Sequence, residues 1–388
     1  MQIQDYNQET LYTLALYKLT FFMLPQAKML YTDLGSATEV FNRRRTLEDI
    51  YPEISPRLKD ILSDWDAALR LAESEMEYDR QHNIRVLCYN DDDYPLRLRE
   101  CDDAPLVLFY TGNANLNKER IINIIGTRRI TVYGQDMIAS FVNELHNYCP
   151  DTLIVSGLAY GVDINAHRSA LKNRMETVGV LAHGLDDIYP SSHRSTANEM
   201  VNCGGLLSEY FIHTNADKMN FVRRNRIVAG MSDACILIES AEKGGGLITA
   251  ELSQNYNRDV YAFPGRANDR YSAGCNKLIR ENRAGLITNA MDFVKSMHWD
   301  GDIKLRQAQS EGIEATIFPQ LNEEEKVIVN LLSKNNDLQI NVLSVQTGFA
   351  IPKLTNILFQ LEMKGVIKVL AGGMYHLIST KQHSQDPY

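Results

Sequence analysis

The middle of the chain alternates between short apolar runs and longer segments in which apolar residues recur at helical spacing. The runs are rich in β-branched residues and occupy positions 121–125, 153–155, 178–181, 206–207, 234–238 and 260–263. One face of the helix predicted after the first run carries Ile138, Phe141, Val142 and Leu145. Buried strands separated by helices of this length predict βαβ units, and therefore a doubly wound, mostly parallel α/β sheet. Two further strands are predicted before it, at 84–87 and 106–110.

Residues 1–82 predict a small N-terminal helical domain, of a SAM-like or degenerate helix-hairpin-helix kind. Leu11, Leu14 and Ala15 lie at helical spacing, and the helical tendency resumes after Pro52 and Pro56. The hairpin of DNA-binding modules of this kind usually needs glycines, but residues 21–25, where it would fall, contain none. A packing or protein-interaction role is therefore favoured, and DNA contact by this domain stays open as the alternative.

The C-terminal segment has the pattern of a winged helix. After a stretch of mixed charge at 300–319, interpreted as a linker, helices are predicted at 323–332 and from about 341. A third helix carries one apolar stripe, and strands at 366–370 and 374–378 form a hairpin around a glycine pair. Acidic and basic residues balance in this segment, whereas a DNA-reading domain is normally basic. Partner binding or weak DNA binding at 320–380 is favoured over sequence-specific reading.

Composition narrows the class of protein without identifying it. The 388 residues are 44% hydrophobic and 23% charged, which is typical of a globular chain with two or three domains. No apolar run approaches the ~18 residues of a membrane span. Six scattered cysteines without a C-x-x-C pair predict a reduced, cytoplasmic chain without structural zinc. A net charge of −9 argues against general coating of nucleic acid but permits a local basic groove.

The stretch 221–251 carries the strongest candidate chemistry. A predicted strand at 234–238 is followed by Gly244, Gly245 and Gly246, which open a helix. Glycines allow close backbone approach, and the first helical turn offers free N–H groups and a positive dipole end, so the arrangement predicts a phosphate site. Upstream lies a cluster of arginines headed by an aromatic residue: Phe221, Arg223, Arg224, Asn225 and Arg226. Phosphate-binding charge beside a stacking ring points to nucleotides or nucleic acid.

Not every residue of this cluster can serve that purpose. At their spacing the three arginines cannot all face one way, so one or two are expected to form salt bridges within the fold. Asn225 could brace a loop, and Phe221 could equally be a core residue.

Ligands of doubly wound sheets bind beyond the carboxyl ends of the strands. This rule brings together 126–129, 156–163, 183–186 and 244–246 along one edge of the predicted sheet. Arg128 on this edge is therefore more plausible as a ligand-binding residue than as a surface charge.

Other polar residues have simpler structural explanations. Asp163 at the head of a helix is predicted to stabilise the helix dipole, and His167 one turn later is predicted to be a satisfied polar residue. His183, Asp186 and His193 lack the spacing of a metal site, so neither a metal nor a cofactor is predicted. The acidic triplet at 91–93 is interpreted as a solvated loop.

Six motifs, taken together and in order, resemble the DprA/Smf family. They are 125–128 (Ile-Gly-Thr-Arg), 156–163 (Ser-Gly-Leu-Ala-Tyr-Gly-Val-Asp), 184–190 (Gly-Leu-Asp-Asp-Ile-Tyr-Pro), 221–230 (Phe-Val-Arg-Arg-Asn-Arg-Ile-Val-Ala-Gly), 244–250 (Gly-Gly-Gly-Leu-Ile-Thr-Ala) and 274–279 (Gly-Cys-Asn-Lys-Leu-Ile). The resemblance covers about 84–297. Val222 stands where the family often has proline, and Cys275 stands where serine is common.

The resemblance implies a three-part protein: the helical domain at 1–82, an extended Rossmann-like domain at 83–299, and the winged helix. It implies a homodimer formed through the Rossmann-like domain that binds single-stranded DNA during natural transformation. It also implies that the protein protects incoming DNA and loads RecA past single-strand-binding protein, without catalysis. The family's motif arginine corresponds to Arg128, and its lysine and stacking aromatic correspond to Lys218 and Phe221.

The predicted nucleic-acid-binding set is Gly126, Thr127, Arg128, Arg129, Ser156, Gly157, Lys218, Phe221, Arg223, Arg224, Asn225, Arg226, Gly244, Gly245 and Gly246. The alternative is a nucleotide-processing enzyme of the N-glycosidase or phosphoribohydrolase type. In that interpretation Glu251, one helical turn beyond the glycines, acts on a ribose.

Overall fold

The structure is a computed structural model that describes residues 7–301, 321–364, 366–370 and 373–377. The chain divides into two compact units, Met1–Trp299 and Asp300–Tyr388. The predicted linker at 300–319 lies almost wholly outside the described residues. The predicted boundary between residues 82 and 83 lies inside the first unit and stays a prediction.

Helices occupy the beginning of the first unit. They are α1 (Gln8–Leu19), α2 (Leu24–Leu34), α3 (Ala37–Arg43), α4 (Leu47–Ile50), α5 (Pro56–Ser63) and α6 (Asp66–Gln81). Capping residues mark where several of them start: the Asn7 side chain accepts from the Thr10 N–H, and the Ser55 side chain accepts from the Leu58 N–H ahead of Pro56. Gly35, with φ of 85°, ends α2 in the left-handed conformation that favours glycine.

The rest of the first unit is a sheet with helices on its faces. Its strands are β1 (Arg85–Cys88), β2 (Val107–Gly112), β3 (Ile121–Ile125), β4 (Leu153–Ser156), β5 (Thr177–Val180), β6 (Gly204–Ser208), β7 (Ala234–Leu237), β8 (Asp259–Ala262) and β9 (Gly285–Leu286). Its helices are α7 (Leu96–Arg99), α8 (Val132–Tyr148), α9 (Val162–Lys172), α10 (Arg194–Asn202), α11 (Lys218–Gly230), α12 (Gly245–Asn255), α13 (Ala273–Arg280) and α14 (Ala290–Ser296).

The strand order is β1-β2-β6-β5-β4-β3-β7-β8-β9. The pairs β1–β2 and β2–β6 are antiparallel, and every other pair is parallel. The predicted doubly wound, mostly parallel sheet is therefore confirmed. The chain leaves β3 for β4 on one side and returns to β7 on the other, which makes the end of β3 a topological switch point.

The first helices pack on the antiparallel margin of this sheet. Side chains of α1, α2, α5 and α6 share one apolar core with Val86 of β1 and with Val107 and Phe109 of β2. Polar contacts cross the same boundary, because the buried Tyr17 hydroxyl donates to the Glu209 carboxylate at 3.0 Å. The helices and the sheet of the first unit thus form a continuous body.

The second unit contains α15 (Glu323–Lys334), α16 (Ile340–Thr347) and α17 (Ile351–Met363). Its strands are β10 (Leu338–Gln339), β11 (Ile367–Leu370) and β12 (Met374–Leu377), in the order β10-β12-β11. The apolar stripe predicted on the third helix, formed by Leu354, Ile357, Leu358 and Leu361, lies in the core. This element order is typical of a winged helix, although that assignment stays a prediction.

None of the helices in the described part of the chain is both long and apolar enough to cross a bilayer. None of the six cysteines, all of which lie in the described part of the chain, forms a disulfide.

Candidate nucleic-acid interface

A cavity of about 210 Å³ opens at the switch point, where β3, β4 and β7 end. Its walls are formed by three segments that were predicted to lie along one edge of the sheet: 126–128, the 157–159 turn, and the three glycines at the start of α12. The fourth side is the first half of α11, which contributes Phe221, Val222, Arg224 and Asn225. The cavity is smaller than the ~300–1,000 Å³ pockets that enclose drug-sized ligands. It can therefore hold one charged group of a larger ligand, while the rest of that ligand lies outside the cavity.

The glycine loop presents backbone to this cavity. Gly244 is the N-cap of α12 and offers no side chain to cap it, so the first-turn N–H groups stay available to an anion. Gly126 and Gly246 face each other closely: a Cβ built on Gly246 would lie 3.2 Å from the Gly126 Cα. A Cβ built on Gly245 would meet no heavy atom within 4 Å, because that position faces open space.

Arg128 is exposed on a loop that is firmly held at both ends. The Thr127 N–H donates to the Glu239 carbonyl oxygen at 2.7 Å. The Glu239 carboxylate accepts from the Thr131 N–H at 2.9 Å and from the Thr131 hydroxyl at 2.6 Å. Glu239 therefore fixes the loop from below and leaves the Arg128 guanidinium free to face solvent. Motif reasoning did not find Glu239, although an acidic residue directly after a buried strand is a visible signal.

Phe221 lines the cavity as a partly exposed ring, outside the apolar core clusters of the described residues. The Arg128 guanidinium lies 5.0 Å from the Phe221 ring centroid, within cation–π range. The Tyr189 ring lies 5.9 Å from the Phe221 ring at an interplanar angle of 51°, and Tyr189 is 52% exposed. Tyr189 was absent from the predicted site, since only the fold brings it to α11. A partly exposed ring with a cation and a second ring beside it is suited to receive a nucleobase.

Arg224 lies under the cavity with 3% of its surface exposed. Its Nη1 donates to the Gly157 carbonyl oxygen at 2.6 Å and to the Val180 carbonyl oxygen. Burial lowers the pKa of Arg224, and the Asp163 carboxylate opposes that shift. Arg224 thus supplies positive charge from below rather than a freely exposed ligand.

Asp163 organises the turn opposite Arg224. Its carboxylate accepts from the Gly157 N–H at 3.2 Å and from the Ala159 N–H at 3.4 Å. Burial raises the pKa of Asp163, while Arg224 and these N–H groups act in the opposite direction. The carboxylate lies in the first turn of α9, as predicted, and it also shapes the cavity wall.

Several predicted site residues lie elsewhere. Ser156 is wholly buried and donates to the Ile124 carbonyl oxygen at 2.6 Å, so its expected contact with nucleic acid is not supported by its position. Arg226 points into the core, where it pairs with the buried Glu209 and donates to the Asp103 carbonyl oxygen at 2.5 Å. It is thus one of the arginines that were predicted, from their spacing, to form salt bridges within the fold. Arg129 and Lys218 are exposed outside the cavity lining.

Arg223 also points away from the cavity and contacts the first helices. Its guanidinium lies 4.6 Å from the Phe21 ring centroid and 4.8 Å from that of Phe22. The residues predicted to bind nucleic acid therefore form two groups: those that the fold brings together around the cavity and those that lie away from it. The residues assembled around the cavity are Gly126, Thr127, Arg128, Gly157, Phe221, Arg224, Asn225, Gly244, Gly245 and Gly246.

The residues considered for other chemistry do not form a second site. Burial lowers the pKa of His167 to about 3, and its Nδ1 lies 2.7 Å from the Thr177 hydroxyl, so it is a neutral core residue. Within the described ranges, no group of three or more His, Cys, Asp or Glu side chains is arranged to hold a metal ion. Glu251, the carboxylate of the enzymatic alternative, is 63% exposed outside the cavity and lies 3.9 Å from Arg283.

Comparison with known proteins gives a consistent result. The family model described as DNA recombination-mediator protein A matches residues 85–298, more than half of the chain. The DNA processing protein DprA of Streptococcus pneumoniae is 39% identical over 204 residues, covering 53% of this chain and 71% of the relative.

Two solved structures support the same assignment. The structure of DNA processing protein A from Streptococcus pneumoniae is 31% identical, covers 73% of this chain and 97% of its own, and has a TM-score of 0.59. A structure of DNA processing protein A from Helicobacter pylori, described for its single-stranded DNA binding mode, is also 31% identical. It covers 56% of this chain and 96% of its own, with a TM-score of 0.51.

Proposed function

This chain belongs to the DNA recombination-mediator protein A family, and on that premise we propose that it binds single-stranded DNA as a recombination mediator. The observation that carries the proposal is the meeting of three features in one cavity. They are the uncapped glycine start of α12, the exposed Arg128, and the partly exposed ring of Phe221. The single-stranded DNA binding named for the Helicobacter pylori relative supports it.

Each feature has a distinct part in the binding. A backbone phosphate sits against the N–H groups of Gly245 and Gly246, where the helix dipole is favourable. Arg128 contacts the next phosphate with charge-assisted hydrogen bonds. The adjoining base stacks on Phe221, with Tyr189 extending the ring surface. Since every base has a π-face, this mode holds a strand without reading its sequence.

The same cavity gives little support to an enzyme. Among the described residues that line it, the only carboxylate is that of Asp163, whose Oδ2 accepts from two backbone N–H groups and whose charge interacts with Arg224. Hydrolysis of a glycosidic bond requires a carboxylate that can exchange a proton or attack, and usually two of them. Glu251 lies outside the lining. Binding without catalysis is therefore the function that we assign.

We infer the wider role from the family to which the chain belongs. The protein protects incoming single strands in the cytoplasm during natural transformation, displaces single-strand-binding protein and loads RecA. It acts as a homodimer through its Rossmann-like domain, residues 83–299. In the sequence, the helical domain at 1–82 precedes this domain and the winged helix at 320–380 follows it. The winged helix engages a partner or binds DNA weakly.

Titration with labelled oligo-dT across a salt series tests the proposal. We expect affinity that falls as salt rises, with no turnover of a nucleoside monophosphate offered to the same protein. Arg128→Ala should weaken binding about tenfold or more, since hydrogen bonds to charged groups contribute about 1.5–3 kcal/mol. It should also flatten the slope of log affinity against log salt by about 0.7, the value for one single-strand phosphate.

Arg57→Ala is the matched control, because Arg57 is another exposed arginine of the first unit that lies outside the cavity lining. Equal affinity and slope for wild type and Arg128→Ala would remove Arg128 from the site. Cleavage of the monophosphate would instead favour the enzymatic alternative.

A further inference from the structure

The turn between α1 and α2 displays an aromatic ring that the fold does not use. Phe22 is 79% exposed, although its neighbour Phe21 is anchored. The Phe21 ring lies 5.5 Å from Tyr17 and 5.7 Å from Tyr210, and Phe22 contacts it edge-on at 5.2 Å. Phe22 is therefore held in place by its neighbour while its own surface faces water.

Arg223 lies against the same two rings. Its guanidinium is 4.6 Å from the Phe21 centroid and 4.8 Å from the Phe22 centroid. In the part of the chain that the structure describes, no carboxylate lies within salt-bridge distance of Arg223, and the guanidinium N–H groups of Arg223 donate no hydrogen bond. Arg226, three residues along the same helix, is by contrast fully engaged with Glu209. The charge of Arg223 is held by rings and remains available to an anion.

Helix α11 connects this pair to the cavity. Phe221 and Arg223 are two residues apart, so they project from opposite sides of the helix, which is about 10 Å across. Lys218, Met219 and Val222 are exposed along α11 near both residues. Val222 also lines the cavity. A strand that leaves the Phe221 ring can thus cross the exposed face of α11, pass a lysine, and reach Arg223 and Phe22.

We propose that Phe22 and Arg223 form a second binding station for single-stranded DNA, in which Arg223 holds a phosphate and Phe22 stacks a base. This inference rests on the proposed function and extends it to the N-terminal helices. The turn has no hairpin glycines, and the contact uses side chains in place of the backbone that glycines would expose. The strand then runs from the glycine loop across α11 to the first helices.

The unpaired charge decides which partner fits. An apolar protein surface covering Phe22 would also bury the Arg223 guanidinium without a counter-ion, which is costly. A phosphodiester chain supplies the anion and the flat base together. Lys18, whose Nζ lies 4.8 Å from the Phe211 ring, adds a further exposed cation on α1.

Strand length separates the two stations experimentally. Oligo-dT of about 4 and about 16 nucleotides spans the range of site sizes known for single-strand-binding folds. In the full-length protein, Phe22→Ala should leave binding of the short strand unchanged. It should weaken binding of the long strand about 5- to 150-fold, as expected for the loss of one stacked base. Leu71→Ala, at another exposed apolar position in the first helices, should change neither affinity.

Two further variants separate stacking and charge from a folding defect. Phe22→Leu keeps an apolar side chain but loses the flat ring, so it should resemble Phe22→Ala. Arg223→Gln should weaken only the long strand and reduce its salt slope by about 0.7.

Three results would overturn the proposal. Wild-type affinity of Phe22→Ala and Arg223→Gln for the long strand would show that no second station exists, and the proposed function would stand if Phe221→Ala still binds weakly. Equal loss at both lengths would also contradict it, because a strand that occupies the cavity alone makes no contact with Phe22. Failure of the wild-type protein to bind either strand would remove the proposed function itself.

Discussion

Gly245→Ala tests whether the glycine loop exists for the ligand or for the fold. The added Cβ meets no heavy atom within 4 Å, and Gly245 is absent from the glycines with positive φ. Alanine is therefore compatible with the folded backbone at this first position of α12. Replacing glycine where the conformation permits it stabilises a protein by about 0.4–1 kcal/mol, through the smaller entropy of the unfolded chain. We expect Gly245→Ala to melt at the wild-type temperature or slightly above it.

Binding should move in the opposite direction. The open space beside Gly245 is the space assigned to a backbone phosphate, and a methyl group there crowds the ligand instead of the protein. Overpacking by a methylene-sized group costs about 1–3 kcal/mol, which corresponds to about 5- to 150-fold weaker binding. A variant that is more stable yet binds less tightly is hard to explain unless the loop is a ligand cradle.

The assay pairs thermal unfolding with oligo-dT titration on three variants. Gly301→Ala also places its Cβ in open space but lies far along the sequence from the loop, and it should leave affinity unchanged. Gly126→Ala should show the reverse pattern and lose stability, since its Cβ would lie 2.6 Å from both the Glu239 carbonyl oxygen and the Val162 Cγ2. Unchanged affinity of Gly245→Ala would refute the phosphate position, and its unfolding would show that the glycine is structural.

Three other outcomes follow from the same contacts. Phe221→Ala should bind oligo-dT about 5- to 150-fold more weakly with little change in melting temperature. If the unfolding free energy instead fell by the ~3–5 kcal/mol typical of a core phenylalanine, Phe221 would be a core residue. Glu209→Gln should cost about 3–5 kcal/mol of unfolding free energy in urea, because it leaves the buried Arg226 unpaired; a loss below about 1 kcal/mol would contradict that pairing. Burial raises the pKa of Asp79 to about 9, so the folded state keeps a proton that the unfolded state releases above its ordinary pKa of 3.8. The contribution of Asp79 to stability should therefore fall between about pH 4 and 9, and the advantage of Asp79→Asn over wild type should grow by up to about 1.4 kcal/mol per pH unit. A pH-independent difference would refute the buried acid.

The sheet could be predicted from sequence because its strands are short apolar runs. Ile121–Ile125 was predicted at its observed bounds, and all five of its residues are buried. Gly285–Leu286 was not predicted, since β9 has only two residues and both are exposed. Hydrophobic patterning detects burial, and an exposed edge strand leaves no such signal.

The cavity was predicted less completely than the sheet. The rule on strand ends located the glycine loop and Arg128, because it needs only the order of the elements. It could not assign the arginines of α11, whose directions depend on helical phase and on tertiary partners. The sequence spacing does indicate which side of α11 is buried. One helical face carries Asn220, Arg224, Ile227 and Val228, and all four are buried. The partner of Arg226 was not readable, since Glu209 reaches it from the end of β6.

The core shared by the first helices and the antiparallel margin of the sheet limits how the gene can be recombined or shortened. A fragment beginning at β1 would expose the faces of Val86, Val107 and Phe109 that the helices now cover. An uncovered apolar face beside an edge strand promotes self-association, so such a fragment should express poorly unless those positions are made polar. The first helices of this chain therefore cannot be replaced alone by those of a relative. A chimera needs the matching residues of β1 and β2 to be transferred together with the helices that cover them.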